Sequence, residues 1–123
     1  MVYTEIITDS IHTWTIKIGR NEKENDTLIR NSNKNDLWFH LEDNPSPHGF
    51  ISYNPPHNPD PQPFHYPNPS HTLIYKTALL VKKYSNCKHI PSVSVIYTKI
   101  ENVCLTKKLG TVIIKKKTNK INV

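Results

Sequence analysis

The stretch Asn54-Pro55-Pro56-His57-Asn58-Pro59-Asp60-Pro61-Gln62-Pro63-Phe64-His65-Tyr66-Pro67-Asn68-Pro69 restricts the fold more than any other part of the chain. Proline removes a backbone donor that a helix interior and a central strand both need, so neither element can pass through this segment. It reads as an extended surface loop pinned by Phe64 and Tyr66, and it separates two blocks of regular structure. A docking strand for a proline-reading module is the alternative, but no strong docking motif supports it. With 123 residues in all, the chain suits one domain with a single core.

Upstream of the loop, Val2 to Thr8 and Trp14 to Ile18 have the β-branched and aromatic character of two strands, which predicts a hairpin. Asn21 with Glu24 three residues later reads as a helix cap answered by a carboxylate, opening a short helix to about Arg30. Leu37 to Leu41 is a strand with Leu37, Phe39 and Leu41 on one face and Trp38 and His40 on the other. A turn through Pro45 and Pro47 leads to a strand from His48 to Tyr53. Downstream, Ser70 caps a helix reaching about Ser85, with Leu73, Ile74, Thr77, Leu80, Val81 and Tyr84 as its apolar stripe. Strands follow at Val93–Tyr97, Gly110–Lys116 and Ile121–Val123, with Lys99 to Leu109 read as a loop. The expectation is an α+β fold: one domain over residues 1–123, its mixed, largely antiparallel sheet packed by one main and one short helix, with the 54–69 loop inserted.

The net charge is +6, but it is unevenly spread. Residues 1–60 carry five basic groups against nine acidic ones, whereas residues 61–123 carry eleven lysines and a single acid, Glu101. Such a cationic half suits a phosphate-facing surface, because neutralising a polyanion releases its condensed counterions. The plainer alternative is a lysine-rich face that only keeps the protein in solution. No apolar run approaches the ~20 residues that a membrane helix needs, so no membrane insertion is expected. The N-terminus lacks the basic and apolar regions of a secretory signal. Cys87 and Cys104 read as two reduced thiols, which agrees with a cytoplasmic location.

Catalytic motifs are weak. The seven histidines include no HExxH and no pair four residues apart, so no metal site or cofactor is expected. With glycine only at positions 19, 49 and 110 there is no phosphate-cradling loop, and no serine or cysteine lies in a nucleophile elbow. An acid–base pair of Asp36 or Asp43 with His40 or His48 can be drawn, although the same groups can hydrogen-bond the turns around the strand. Arg20, Asn21, Lys23 and Asn25 suit phosphate or base edges, and Trp38 or His40 suits base stacking. Lys82, Lys83, Lys88, Lys107 and Lys108 suit a nucleic-acid backbone, though singly each is an ordinary surface residue.

Gly19-Arg20-Asn21-Glu22-Lys23-Glu24-Asn25-Asp26-Thr27-Leu28 resembles the G-[KR]-N-x-x-x-N-D-x-L opening of the NFACT RNA-binding domain family. Asp36-Leu37-Trp38-Phe39-His40, followed by Asp43, Pro45 and His48, is similar to its D-[LI]-W-[FL]-H-x-x-D-x-P-G-S-H-V block. Later stretches fit in order: Ala78 to Ser85 resembles a helix ending in Tyr-Ser, Val93 to Thr98 a V-x-V-x-Y-T strand, and Lys107 to Val112 a lysine-rich approach to a G-x-V strand. Ser46-Pro47 departs from the Gly-Ser of that pattern, and the proline-rich link is longer than usual.

The resemblance implies an RNA-binding module without established catalysis, of the kind found in ribosome-associated quality-control factors that engage tRNA and the large ribosomal subunit. It implies RNA, tRNA or rRNA first, as the partner. The recognition patch would combine Arg20, Asn21, Lys23, Asn25, Asp36, Trp38, His40 and His48 with the lysines named above. Three alternatives stand beside it: an RNA-modifying or RNA-cleaving enzyme using His40 and His48, a DNA-binding module, and a protein-interaction adaptor.

Overall fold

The computed structural model describes residues 1–9, 11–56 and 66–123, so most of the proline-rich loop, including Phe64, lies outside the described residues. Strand β1 (Tyr3–Thr8) pairs with β2 (Thr13–Gly19), and α1 (Glu22–Arg30) leads to β3 (Leu37–Leu41) and β4 (His48–Asn54). Helix α2 (His71–Lys83) is followed by β5 (Ser94–Lys99), a 3-10 turn at Ile100–Asn102, β6 (Val103–Leu105), β7 (Val112–Ile114) and β8 (Asn119–Asn122). The expected α+β domain is present, with a six-stranded sheet in the order β1-β2-β4-β3-β5-β8 and a β6-β7 hairpin. All the pairings are antiparallel.

Strand alternation gives the sheet two apolar faces, and each is covered. On one face Trp14, Ile16, Ile18, Phe39, Leu41, Ile51 and Val95 pack with Leu73, Ala78 and Val81 of α2. Gly49 lets that helix approach, since a Cβ there would lie 2.7 Å from Val81 Cγ2 and 3.1 Å from Phe39 Cβ. On the other face Trp38 and Phe50 pack with Ile29 of α1, Ile100 and Val103, flanked by Leu105, Val112 and Ile114 of the hairpin. Burying a side chain such as Phe50 stabilises the fold by roughly 1.5–3 kcal/mol, so this second core fastens α1 and the hairpin to the sheet.

Both helix caps form as the sequence predicts. Asn21 Oδ1 accepts from the Glu24 N–H at 2.8 Å, and Ser70 Oγ accepts from the Leu73 N–H at 3.2 Å. The segment Lys99 to Leu109, read as a loop, instead contains the 3-10 turn and β6. Three residues are too few to show a period in sequence, and β6 exists because Val103 pairs with Ile114 and buries in the second core. The strand read at Gly110–Lys116 shortens to β7, because Gly110 sits at φ +73° in the hairpin turn.

Candidate nucleic-acid interface

The site grows from the junction of β2 with α1. Glu24 accepts the Arg20 N–H at 2.9 Å and the Asn21 Nδ2–H at 3.1 Å, closing a reciprocal cap. One turn on, Asn25 Oδ1 accepts the His48 N–H at 3.3 Å, tying α1 to the start of β4. Gly19 makes room for this tie, since a Cβ there would lie 2.2 Å from Asn25 Oδ1. The hairpin tip closes the other side, with Gly110 so near α1 that a Cβ would lie 2.9 Å from Glu22 Cα.

Between the first turn of α1, the β3-β4 turn and the hairpin tip lies a cleft of about 680 Å³. His40 and His48 line it, with Glu22, Asp43, Ser46 and Lys108 around them. The β3-β4 turn is held by Ser46, whose Oγ accepts the Leu41 N–H at 3.0 Å and donates to the Pro47 carbonyl at 2.7 Å, and by Asp43 at φ +64°. Trp38 Nε1 donates to His48 Nδ1 at 3.1 Å, and the Trp38 and His40 rings stack with centroids 5.7 Å apart. The two imidazoles meet edge to face at 5.1 Å. Burial, with a smaller contribution from His40, pushes His48 down to about 3. Burial also lowers His40, against the opposing effect of its hydrogen bond to the Leu41 carbonyl. Both rings are therefore neutral at physiological pH.

A second hollow adjoins the cleft and shares Glu22, Asn25, Pro45 and Ser46 with it. Here the Arg20 guanidinium lies 4.6 Å from the centroid of the Tyr84 ring, and Lys83 Nζ lies 5.5 Å from the same ring. A third hollow is lined by Leu79, Lys82, Lys83, Lys88 and His89, and Lys83, which reaches the Tyr84 ring, links it to the second. Lys82 donates to the Val123 carbonyl at 3.2 Å. A path thus runs from Lys108 at the hairpin, past the two histidines, over Arg20 and Tyr84, to the α2 lysines.

The sequence-predicted site residues divide into two sets. Arg20, Lys23, Lys82, Lys83, Lys88, Lys107 and Lys108 expose their cationic groups or line this path, as do the edges of His40 and His48. Asn21, Asn25 and Trp38 also border these hollows, but like Asp36 they engage their polar groups within the fold. Trp38 is 1% exposed and has no face free for base stacking. Asp36 accepts from Ser52 Oγ at 2.8 Å, Tyr66 Oη at 2.7 Å and the Asn33 N–H at 2.9 Å, so it braces the start of β3. Asp36 is not among the residues lining the cleft that His40 and His48 line, and these three donors occupy its carboxylate. Sequence reasoning passed over Tyr84, Glu22 and the Gly110 turn as site residues. The Tyr-Ser ending of the α2 motif marked Tyr84, whereas nothing local marked the hairpin's docking on α1. Among the described residues no group of three His, Cys, Asp or Glu side chains could hold a metal ion, and no helix is long and apolar enough to cross a membrane.

The family described as NFACT protein RNA binding domain matches residues 1–116. Among solved structures, the C-terminal part of the fibronectin/fibrinogen-binding protein from Streptococcus suis is similar, with a TM-score of 0.76 and 25% identity over 98% of this chain. This chain covers 43% of that structure, less than half its length. No curated protein matches.

Proposed function

The chain belongs to the NFACT RNA-binding domain family, and on that premise we propose that it is a non-catalytic module for structured RNA, tRNA or rRNA, acting in translation or ribosome quality control. The observation that carries the reading is the family match combined with the cationic path from Lys108 over Arg20 to Lys83 and Lys88. In this reading the lysines track phosphates, and the Arg20–Tyr84 stack supplies a flat cationic platform at the middle of the path.

Catalysis by His40 and His48 is disfavoured by their environment. General acid–base work at neutral pH needs a group that exchanges a proton there, and His48 is pushed down to about 3. Incubation of the protein with labelled tRNA tests this directly, with retention of intact RNA expected and histidine-dependent product formation refuting it.

The electrostatic part is tested by fluorescence anisotropy with a tRNA transcript across a salt series. The affinity is expected to fall steeply with salt, and Lys83→Ala with Lys88→Ala to flatten the log–log slope by about two. A slope already flat in the unmodified protein would sink the reading. The same series with a DNA duplex of equal length separates RNA from DNA as the preferred polyanion.

A further inference from the structure

The cleft between the β3-β4 turn, α1 and the hairpin holds a hydrogen-bonding pattern that a phosphate contact does not need. The His48 ring is 2% exposed, and its Nδ1 receives the Trp38 indole N–H. An indole nitrogen only donates, so Nδ1 is unprotonated and the proton of the neutral ring sits on Nε2. That Nε2–H has no partner among the described residues, yet no buried side-chain polar atom among them is left unsatisfied, so it opens onto the cleft. His40 is fixed the opposite way. Its Nδ1 lies 2.6 Å from the Leu41 carbonyl, which only accepts, so Nδ1 carries the proton and Nε2 is an acceptor. Stacking on Trp38 holds that ring in place.

The cleft therefore offers one donor and one acceptor on imidazoles whose centroids are 5.1 Å apart. Glu22 and Asp43 add carboxylate acceptors to the lining, and these repel a phosphate from the interior. Lys108 is the cation of that lining and comes from the hairpin. A flat neutral group carrying adjacent donors and acceptors, tethered to a phosphate, satisfies all of this.

The geometry points to a pocket for a single unpaired nucleobase bearing an exocyclic amino group, read along its Watson–Crick edge by His40 and His48, with its phosphate near Lys108. The exocyclic amino group of adenine, cytosine or guanine has two hydrogens and can serve His40 and a lining carboxylate together, whereas the single N3–H of uracil can serve only one of them. The inference rests on the RNA-binding reading and adds a ligand class within it. A structured RNA would reach the pocket with a base from a loop, bulge or end, since those bases are free to splay out.

The test uses the full chain with its histidine rings labelled with 15N. The probes are oligocytidylate, oligouridylate and an abasic oligoribonucleotide of the same length, with a tRNA transcript as control. At saturation with oligocytidylate the Nε2 resonances of His40 and His48 are expected to move, and with the abasic strand to stay. Oligocytidylate should bind roughly three- to tenfold more tightly than oligouridylate, the range for one hydrogen bond gained or lost. His40→Phe keeps the ring stack on Trp38 and removes the acceptor, so it should bring that ratio to about one while the indole resonance of Trp38 holds its position. Unmoved histidine resonances at saturation, or equal movement with the abasic strand, overturn the base pocket and leave RNA binding standing. Failure of the tRNA transcript to bind overturns the RNA-binding reading itself, and the pocket with it.

Discussion

Acid should unfasten this domain through His48, by an amount that its surroundings set. The ring sits at the start of β4, accepts a hydrogen bond from Trp38 and is pushed down to about 3 from an ordinary value of 6.5. In the unfolded chain it titrates near ~6.5. Between those two values the unfolded state binds more protons than the native state, so stability falls as pH drops from about 6.5 towards about 3 and this contribution changes no further below that. The ratio of the two proton-binding functions gives a loss of about 2 kcal/mol at about pH 5 relative to about pH 8. The native ring is almost unprotonated at about pH 5, so the loss there barely depends on the folded value. For a domain of this size it lowers the melting temperature by about 8 °C.

His40, also lowered by burial, adds to the loss in the same direction. The carboxylates held low by their partners contribute differently: Glu5 by Lys76 and Tyr3, Asp9 by the His12 and Ile11 amides, and Glu24 by the Met1 ammonium and the Arg20 amide. Their stabilisation is present above the ordinary carboxylate range and lost only as pH falls through the lower folded values. That window opens below the upper part of the one for His48, so between about pH 6.5 and about pH 5 the histidine term acts without them. Thermal melts across this pH range, on the unmodified protein and on His48→Gln, isolate the effect. The glutamine carbonyl can still accept from Trp38 but does not titrate, so the variant's pH slope should be shallower whatever its absolute stability. Parallel profiles for the two proteins would refute the reasoning.

Three further outcomes follow from contacts elsewhere. Gly49→Ala places a methyl group 2.7 Å from Val81 Cγ2, and overpacking of this kind should cost about 1–3 kcal/mol, read as a lower denaturant midpoint. Gly110→Ala puts a side chain at φ +73° and 2.9 Å from Glu22 Cα, so equilibrium unfolding should show a loss of about 1 kcal/mol or more. Arg20→Ala removes a cation from the middle of the path together with its contact on Tyr84; tRNA affinity should fall and its log–log salt slope drop by about one, while the lost internal cation–π contact should cost about 0.5–1 kcal/mol of stability. An unaltered affinity would remove Arg20 from the interface.

Much of the fold was legible because it depends on neighbours in sequence. The alternation of Trp14, Ile16 and Ile18 defines a strand within seven residues, and the Asn21–Glu24 and Ser70–Leu73 caps act over three. The motif strings around Gly19 and Asp36 likewise marked the family before any contact was known. Strand β7 was legible within Gly110–Lys116, but β6 and its pairing into a hairpin were not, because they depend on the face of Trp38 and Phe50 against which they pack.

The candidate site divides along the same line. Residue types alone determined that a cationic half accompanies an aromatic and histidine string, and that the proline-rich segment suits neither a helix interior nor a central strand. Only the tertiary structure decided which of those polar and aromatic residues face solvent. Asp36 and Trp38 belong to the same string as His40, yet long-range partners bury the first two and leave edges of His40 and His48 on the cleft. A strand's alternation assigns each side chain to a face, but whether that face is a core or a cleft depends on what the rest of the chain lays over it.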